Sequence, residues 1–152
     1  MRSTFLHRFG FLLLLLVGCL FHSEELNAEG LVQGRVRVGG RSFLVEIAGT
    51  PQAIEKGLMN RSQLAPGQGM LFVFPTTANY PFWMKNTLIP LDVVWIDENL
   101  HVLGVTSMAP CTKQQEQASG CPLYRIEQPI RYALEVNTGE CDGCSGEVVI
   151  EK

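Results

Sequence analysis

From residue 31 onward the apolar residues come in short bursts, each soon cut off by glycine, proline or an Asx residue. None keeps a helical period for long. A chain punctuated in this way has little room for long helices or for repeated strand-helix-strand units, so it must bury its apolar surface by pairing short strands. Residues 33–38 alternate imperfectly, Gly39-Gly40 offers a tight reversal, and residues 42–48 resume with Phe43, Val45 and Ile47 on one side, which describes a β-hairpin. Thr50-Pro51 reads as the cap and first position of a helix of about two turns, with Ile54 and Leu58 on one face and Gly57 as its stop. After the turn residues Pro66-Gly67-Gln68-Gly69, the apolar run 70–74 ends at Pro75 and reads as a buried strand. Further strands are expected at 82–87, 91–96 and 100–107, the last two joined through Asp97-Glu98-Asn99, and residues 131–137 and 147–150 complete the set. Residues 109–122 read as a long polar loop. The expected fold is mostly β, a single antiparallel β-sandwich or barrel domain with one short helix.

The start of the chain states an address. Arg2, His7 and Arg8 occur with no acid, and an uninterrupted apolar run follows over 11–17, the two parts of a secretory signal. Counted over 9–21 the apolar segment is about 13 residues, short of the roughly 20 that a spanning helix needs. It ends on Leu16-Val17-Gly18-Cys19, which resembles the bacterial lipobox, in which the cysteine receives the lipid. The expected organisation is a signal peptide over 1–18, lipidated Cys19 and a polar tether over 19–30, and a β domain over 31–152. The chain is thus expected to be exported and held at the cell envelope by a lipid anchor, on the outer membrane facing the periplasm where the host has one. Cleavage after Ala28 would instead give a soluble periplasmic or secreted form.

Cys111, Cys121, Cys141 and Cys144 follow the anchor, an even number bound for an oxidising compartment, so disulfides are expected. Four cysteines allow three connectivities. The local pairing, Cys111 with Cys121 and Cys141 with Cys144, requires no knowledge of the fold. A redox pair at 141–144 would need a helix to follow, yet Ser145-Gly146 and a strand pattern follow instead. A zinc site is disfavoured because only one of the pairs has knuckle spacing, and no metal or other cofactor is expected.

With 152 residues, 46% of them hydrophobic and 18% charged, the chain is too apolar for disorder and has room for one domain. Lys plus Arg count 12 against 15 for Asp plus Glu, a net charge of −3, and losing Arg2 and Arg8 would make it −5. With no basic stripe, nucleic acid is not an expected partner. The residues with most chemistry are Trp83, Lys85, Asn86 and Asp92 around Pro90, and Glu135 with Asn137 in the strand pattern near the C-terminus. In an extended chain Trp83, Lys85 and Thr87 share a face, setting a cation beside an indole, although the lysine stem could simply lie over the ring while Asn86 and Asp92 cap turns. Glu135 and Asn137 point opposite to Tyr132, Leu134 and Val136, toward either solvent or a cleft.

Taken in order, Thr50-Pro51, Glu55-Lys56-Gly57-Leu58-Met59 with Arg61, Gly69-Met70-Leu71-Phe72-Val73-Phe74, Phe82-Trp83-Met84-Lys85-Asn86-Thr87, Ile89-Pro90-Leu91-Asp92, Ile96-Asp97, Pro110-Cys111, Cys121-Pro122-Leu123-Tyr124 and Leu134-Glu135-Val136-Asn137 closely resemble family number 192 of the domains of unknown function. The likeness covers about residues 36–139. It implies a compact, mostly antiparallel β domain, often exported, and no established reaction. One departure stands out: where the family usually carries a short helix after the Leu-Glu-Val-Asn strand, this chain has Gly139-Glu140-Cys141-Asp142-Gly143-Cys144, so a covalent clip replaces the helix.

Three functions compete. The first is a non-catalytic, membrane-tethered module binding a small molecule, saccharide or protein, with Trp83, Lys85, Asn86, Asp92, Glu135 and Asn137 lining its site. The second is a hydrolase using Asp92 and Glu135 as paired carboxyls, which requires them within about 5 to 10 Å of each other. The third is a structural or assembly partner in the envelope, met through a β edge or the 109–122 loop. Whether the chain is an enzyme is left open by its residues, since no Gly-x-Ser-x-Gly elbow, His-Glu-x-x-His or phosphate loop occurs.

Overall fold

The structure, a computed structural model, describes residues 31–151; the signal segment, Cys19 and the tether lie outside the described residues. Strands β1 (Gln33–Val38), β2 (Arg41–Ala48), β3 (Gln68–Ala78), β5 (Leu91–Ile96), β6 (Val102–Met108), β8 (Ile130–Asn137) and β9 (Val149–Glu151) form one sheet in the order β6-β5-β8-β3-β2-β1-β9. Two two-residue strands, β4 (Phe82–Trp83) and β7 (Leu123–Tyr124), pair separately, and the helices are α1 (Pro51–Lys56) and α2 (Lys113–Ser119).

The β1–β2 hairpin turns on Gly39 and Gly40 at φ 56° and 76°, a conformation that any side chain would strain. β2 and β3 then run parallel, the exception in an otherwise antiparallel sheet, because α1 carries the chain across between them. Thr50 caps α1 by accepting from the Ala53 amide at 3.2 Å, and Pro51 occupies the first turn, as its missing amide hydrogen permits.

The sheet curls until its two ends approach. The Val102 amide donates to the Gly146 carbonyl at 3.0 Å and the Val148 amide to the Leu100 carbonyl at 2.7 Å, so the start of β6 nearly closes on the approach to β9. Alternation along each strand then gives two cores. Val36, Phe43, Val45, Leu71, Val94 and Leu134 fill the concave side, and Met70, Phe72, Leu91, Val93, Trp95 and Ala133 lie on the outer side beneath α1 and β4. Each fully buried large side chain contributes roughly 1.5–3 kcal/mol.

The two disulfides are the local ones, Cys111–Cys121 and Cys141–Cys144. Cys141 is fully buried and Cys144 nearly so, and both join the concave core beside Val38. Residues 138–148 hold turns and no helix, and the Cys141–Cys144 bridge closes within them.

Two expectations are corrected. The 109–122 segment is not all loop: α2 forms there, started by a reciprocal cap in which the Gln115 amide donates to the Thr112 hydroxyl while the Gln115 side chain accepts from the Thr112 amide. The strand expected at 82–87 stops at Trp83, because residues 84–87 close a turn in which the Thr87 amide donates to the Met84 carbonyl at 3.2 Å. Asn86 sits in that turn at φ 55°, a conformation asparagine tolerates better than most residues.

Candidate functional site

On the outer side of the sheet, α1 with the residues that follow it and the aromatic segment around β4 stand apart, leaving a cavity of about 230 Å³. Phe72 and Phe74 of β3 rise from the sheet, Leu58 and Met59 form one wall, and Tyr80, Phe82 and Trp83 form the other. Gly57 ends α1 at φ 47° and passes against Phe72: a Cβ there would lie 3.3 Å from the ring, so glycine keeps this wall open.

The rings are fixed by one another. Phe74 and Tyr80 stack at 3.9 Å, and Phe82 meets Phe72 edge-on at 5.1 Å and Trp95 at 5.3 Å. The Tyr80 hydroxyl is occupied outside the cavity by Thr76, donating to its carbonyl at 3.0 Å. Trp83 is different: it is 45% exposed and stands at the mouth.

At the floor lies Glu135. Its strand is central, with Met70 of β3 paired on one side and Val93 of β5 on the other, so its side chain emerges on the outer face with theirs. It is 5% exposed, and among the described residues its side chain makes no hydrogen bond or ion pair. Burial with no compensating cation pushes its carboxyl up to about 8. A group that is buried, polar and unmatched is an exception in folded proteins, and it lines the cavity.

A second hollow of about 390 Å³ adjoins the first, and Glu55, Lys56, Met59 and Trp83 line both. Lys85 and Asn86 line only the outer one. Lys85 lies 5.8 Å from the centre of the Trp83 ring and pairs with Glu116 of α2 at 3.0 Å, tying α2 to the rim. The Asn86 carbonyl accepts from the Asn60 amide at 2.8 Å, which fastens the same turn to the segment after α1.

Thus Trp83, Lys85, Asn86 and Glu135 fall along one cleft. Asp92 and Asn137 do not line it. Asp92 pairs with Val136 and shares its concave side, where its carboxyl accepts from the Ser107 hydroxyl at 2.6 Å and the Gly139 amide at 2.7 Å. The Asn137 side chain donates to the Leu64 carbonyl at 3.1 Å and holds the loop before β3. Asp92 and Glu135 are on neighbouring positions of paired strands but opposite faces, so the sheet lies between them and the cleft that Glu135 lines does not reach Asp92. The aromatic walls, Phe72, Phe74, Tyr80 and Phe82, were not among the sequence candidates, although the run Tyr80-Pro81-Phe82-Trp83 marks them.

Among the described residues, no group of three His, Cys, Asp or Glu side chains is placed to hold a metal ion, and no helix is long and apolar enough to cross a membrane. Cys141–Cys144 is buried in turns, and among the described residues no helix begins at either cysteine or directly after them.

A curled sheet carrying an aromatic cleft on its outer face is the class of domain that these features define. Residues 34–147 match the DUF192 family, described as Uncharacterized ACR, and the chain belongs to that family. It is similar to a solved structure of a candidate transcription regulator from Sinorhizobium meliloti, at 32% identity and a TM-score of 0.67 over 80% of this chain and 94% of that one. It is also similar to a protein of unknown function from Novosphingobium aromaticivorans, at 26% identity and a TM-score of 0.72 over 84% of this chain and 92% of that one. No curated protein matches it.

Proposed function

We infer that this protein is a non-catalytic ligand-binding module of the cell envelope, fastened to the membrane through a lipid on Cys19, and that its ligand is a small organic molecule held between Trp83 and Glu135. The observation that carries the binding half is Glu135, an unmatched carboxyl at the floor of a cleft whose walls are preassembled aromatic rings. Apolar concavity with one or two convergent polar groups is the usual form of a small-molecule site. A half-exposed tryptophan at the mouth fits a stacking surface that a bound ligand would cover. The lipobox at 16–19 and the two disulfides support the envelope half, since both belong to exported chains.

Binding is tested by calorimetry and thermal shift with a panel of saccharides, short peptides, inorganic anions and organic amines. At least one ligand is expected to raise the melting temperature, and Trp83→Ala to weaken it at least tenfold while leaving the unliganded stability close to that of the parent. Lys85→Ala is expected to have a smaller effect, because Lys85 lines only the outer hollow and pairs with Glu116. Equal binding by parent and Trp83→Ala would remove the site. The anchor is tested separately: labelled palmitate is expected in the parent and not in Cys19→Ala, and an unlabelled parent would refute it.

A further inference from the structure

The chemistry of the inner cleft narrows the ligand class, on the reading that the cleft binds a ligand at all. A sugar presents hydroxyls on every side, and the inner cleft has few groups to meet them. The Tyr80 hydroxyl is taken by Thr76, and the Thr87 hydroxyl points to the Lys85 carbonyl at 3.4 Å. What the cleft does offer is ring surface from Phe72, Phe74, Phe82 and Trp83 around a carboxyl without a partner. Ring faces carry negative electrostatic potential and attract cations, most effectively those with a thin hydration shell. An anion would meet Glu135 unfavourably, and a wholly apolar ligand would leave that carboxyl as unmatched as before.

We propose that the inner cleft is a site for a small organic cation, an alkylated ammonium head that rests against the aromatic walls with its charge facing Glu135. Charged groups on the adjoining elements are Glu55 and Lys56 of α1, which line both hollows, and Glu46 of β2, which lies one strand beyond Met70 and pairs with Arg61; β3 and β5 present only apolar side chains, Met70, Phe72 and Val93, beside the glutamate. Lys85 and Glu116 neutralise each other outside. Among the described residues, no cation of the protein pairs with Glu135. On binding, the Glu135 O–H bond breaks, its proton goes to the buffer, and the resulting carboxylate pairs with the ligand.

Because free Glu135 holds its proton up to about pH 8, a cation must displace that proton at any lower pH. Affinity should thus rise with pH and level off above 8. The probe is benzyltrimethylammonium, whose charge does not titrate, compared by calorimetry with benzylammonium, with its uncharged carbon isostere neopentylbenzene, and with a neutral monosaccharide. Benzyltrimethylammonium is expected to bind roughly tenfold more tightly per pH unit from 6 to 8, and to release close to one proton at pH 7, read from two buffers of different ionisation enthalpy. Glu135→Gln should abolish the proton release and weaken binding at pH 8 at least tenfold. Stronger binding of benzylammonium than of the quaternary ion would mark a primary amine as the natural head group within the same class.

Equal affinity for the uncharged isostere, or cation binding without proton release, would overturn the cation assignment. Trp83-dependent binding of the sugar alone would do the same while leaving the binding module standing, and failure of every panel member would remove both. The test does not depend on the variant folding: in the parent labelled with ¹³C at glutamate carboxyls, the Glu135 resonance should move from its protonated to its ionised position when the quaternary ion is added at pH 7. A resonance that stays put under saturating ligand would refute the proposal.

Discussion

Glu135→Gln is expected to flatten the dependence of folding stability on pH between about 4.5 and 8. The native carboxyl holds its proton up to about 8, against an ordinary value of 4.5, whereas the unfolded chain gives it up near the ordinary value. In that window the native state therefore binds more protons than the unfolded state, so stability falls as pH rises. The contribution is whole below 4.5, is lost progressively through the window and stays lost above 8. By pH 7 the loss is on the order of 3 kcal/mol, a substantial share of what a small domain possesses. Glutamine keeps the shape and cannot ionise, so urea titrations at pH 5, 6, 7 and 8 should give a difference between parent and variant that grows with pH in the variant's favour. Parallel stabilities across the range would show that Glu135 ionises normally, and a solvated carboxyl would then lie where a desolvated one is described.

The second large effect lies on the other face. Asp92→Ala is expected to destabilise the domain by about 3 to 5 kcal/mol, because it leaves the Ser107 hydroxyl and the Gly139 amide without their acceptor in a site of no solvent exposure. Gly139 leads into the Cys141–Cys144 clip, so the loss should be accompanied by loosening of residues 138–148, visible as faster amide exchange there than in β3. Asp92→Asn retains an acceptor and should cost much less. A loss under 1 kcal/mol in the alanine variant would mean that Asp92 is not the organising group of that turn. The same variant, where folded, should bind ligand normally, since Asp92 does not line the cleft.

The two carboxyls show how far the sequence could be read. Period-two alternation predicts the strand that holds Glu135, the turn residues that follow Ile96 delimit the strand that holds Asp92, and both form, β5 over the residues expected. Their relation depends on register: Asp92 pairs with Val136 and Val93 with Glu135, and a shift of one residue would have put both on one face. No local pattern encodes that pairing, which arises from a strand order in which β8 inserts between β5 and β3. Local chemistry was legible where it acts locally. Gly39-Gly40 made its hairpin, Thr50-Pro51 started α1, and cysteines close in sequence formed the bridges.

The missed helix was local too. Thr112 followed by Gln115 is a capping pair, but the apolar period that normally accompanies one is lacking, since α2 buries none of its residues. The short β4 has a different cause. Met84 turns inward to a buried position while its carbonyl accepts from both Thr87 and Cys111, so the disulfide-braced segment draws the chain out of the extended course that Trp83, Lys85 and Thr87 would otherwise share. Trp83 and Lys85 nonetheless remain neighbours, as alternation alone suggested.

Whether the space between Trp83 and Glu135 receives a ligand is decided most directly by NMR, following backbone amides and the tryptophan indoles during titration with the tightest binder from the panel. Concerted, saturating shifts are expected at the Trp83 indole, Gly57, Phe82 and Glu135, with Asp97, His101 and Val149 unmoved at the far edges of the sheet. Saturating shifts that cluster elsewhere and leave the Trp83 indole in place would contradict a binding site in this cleft.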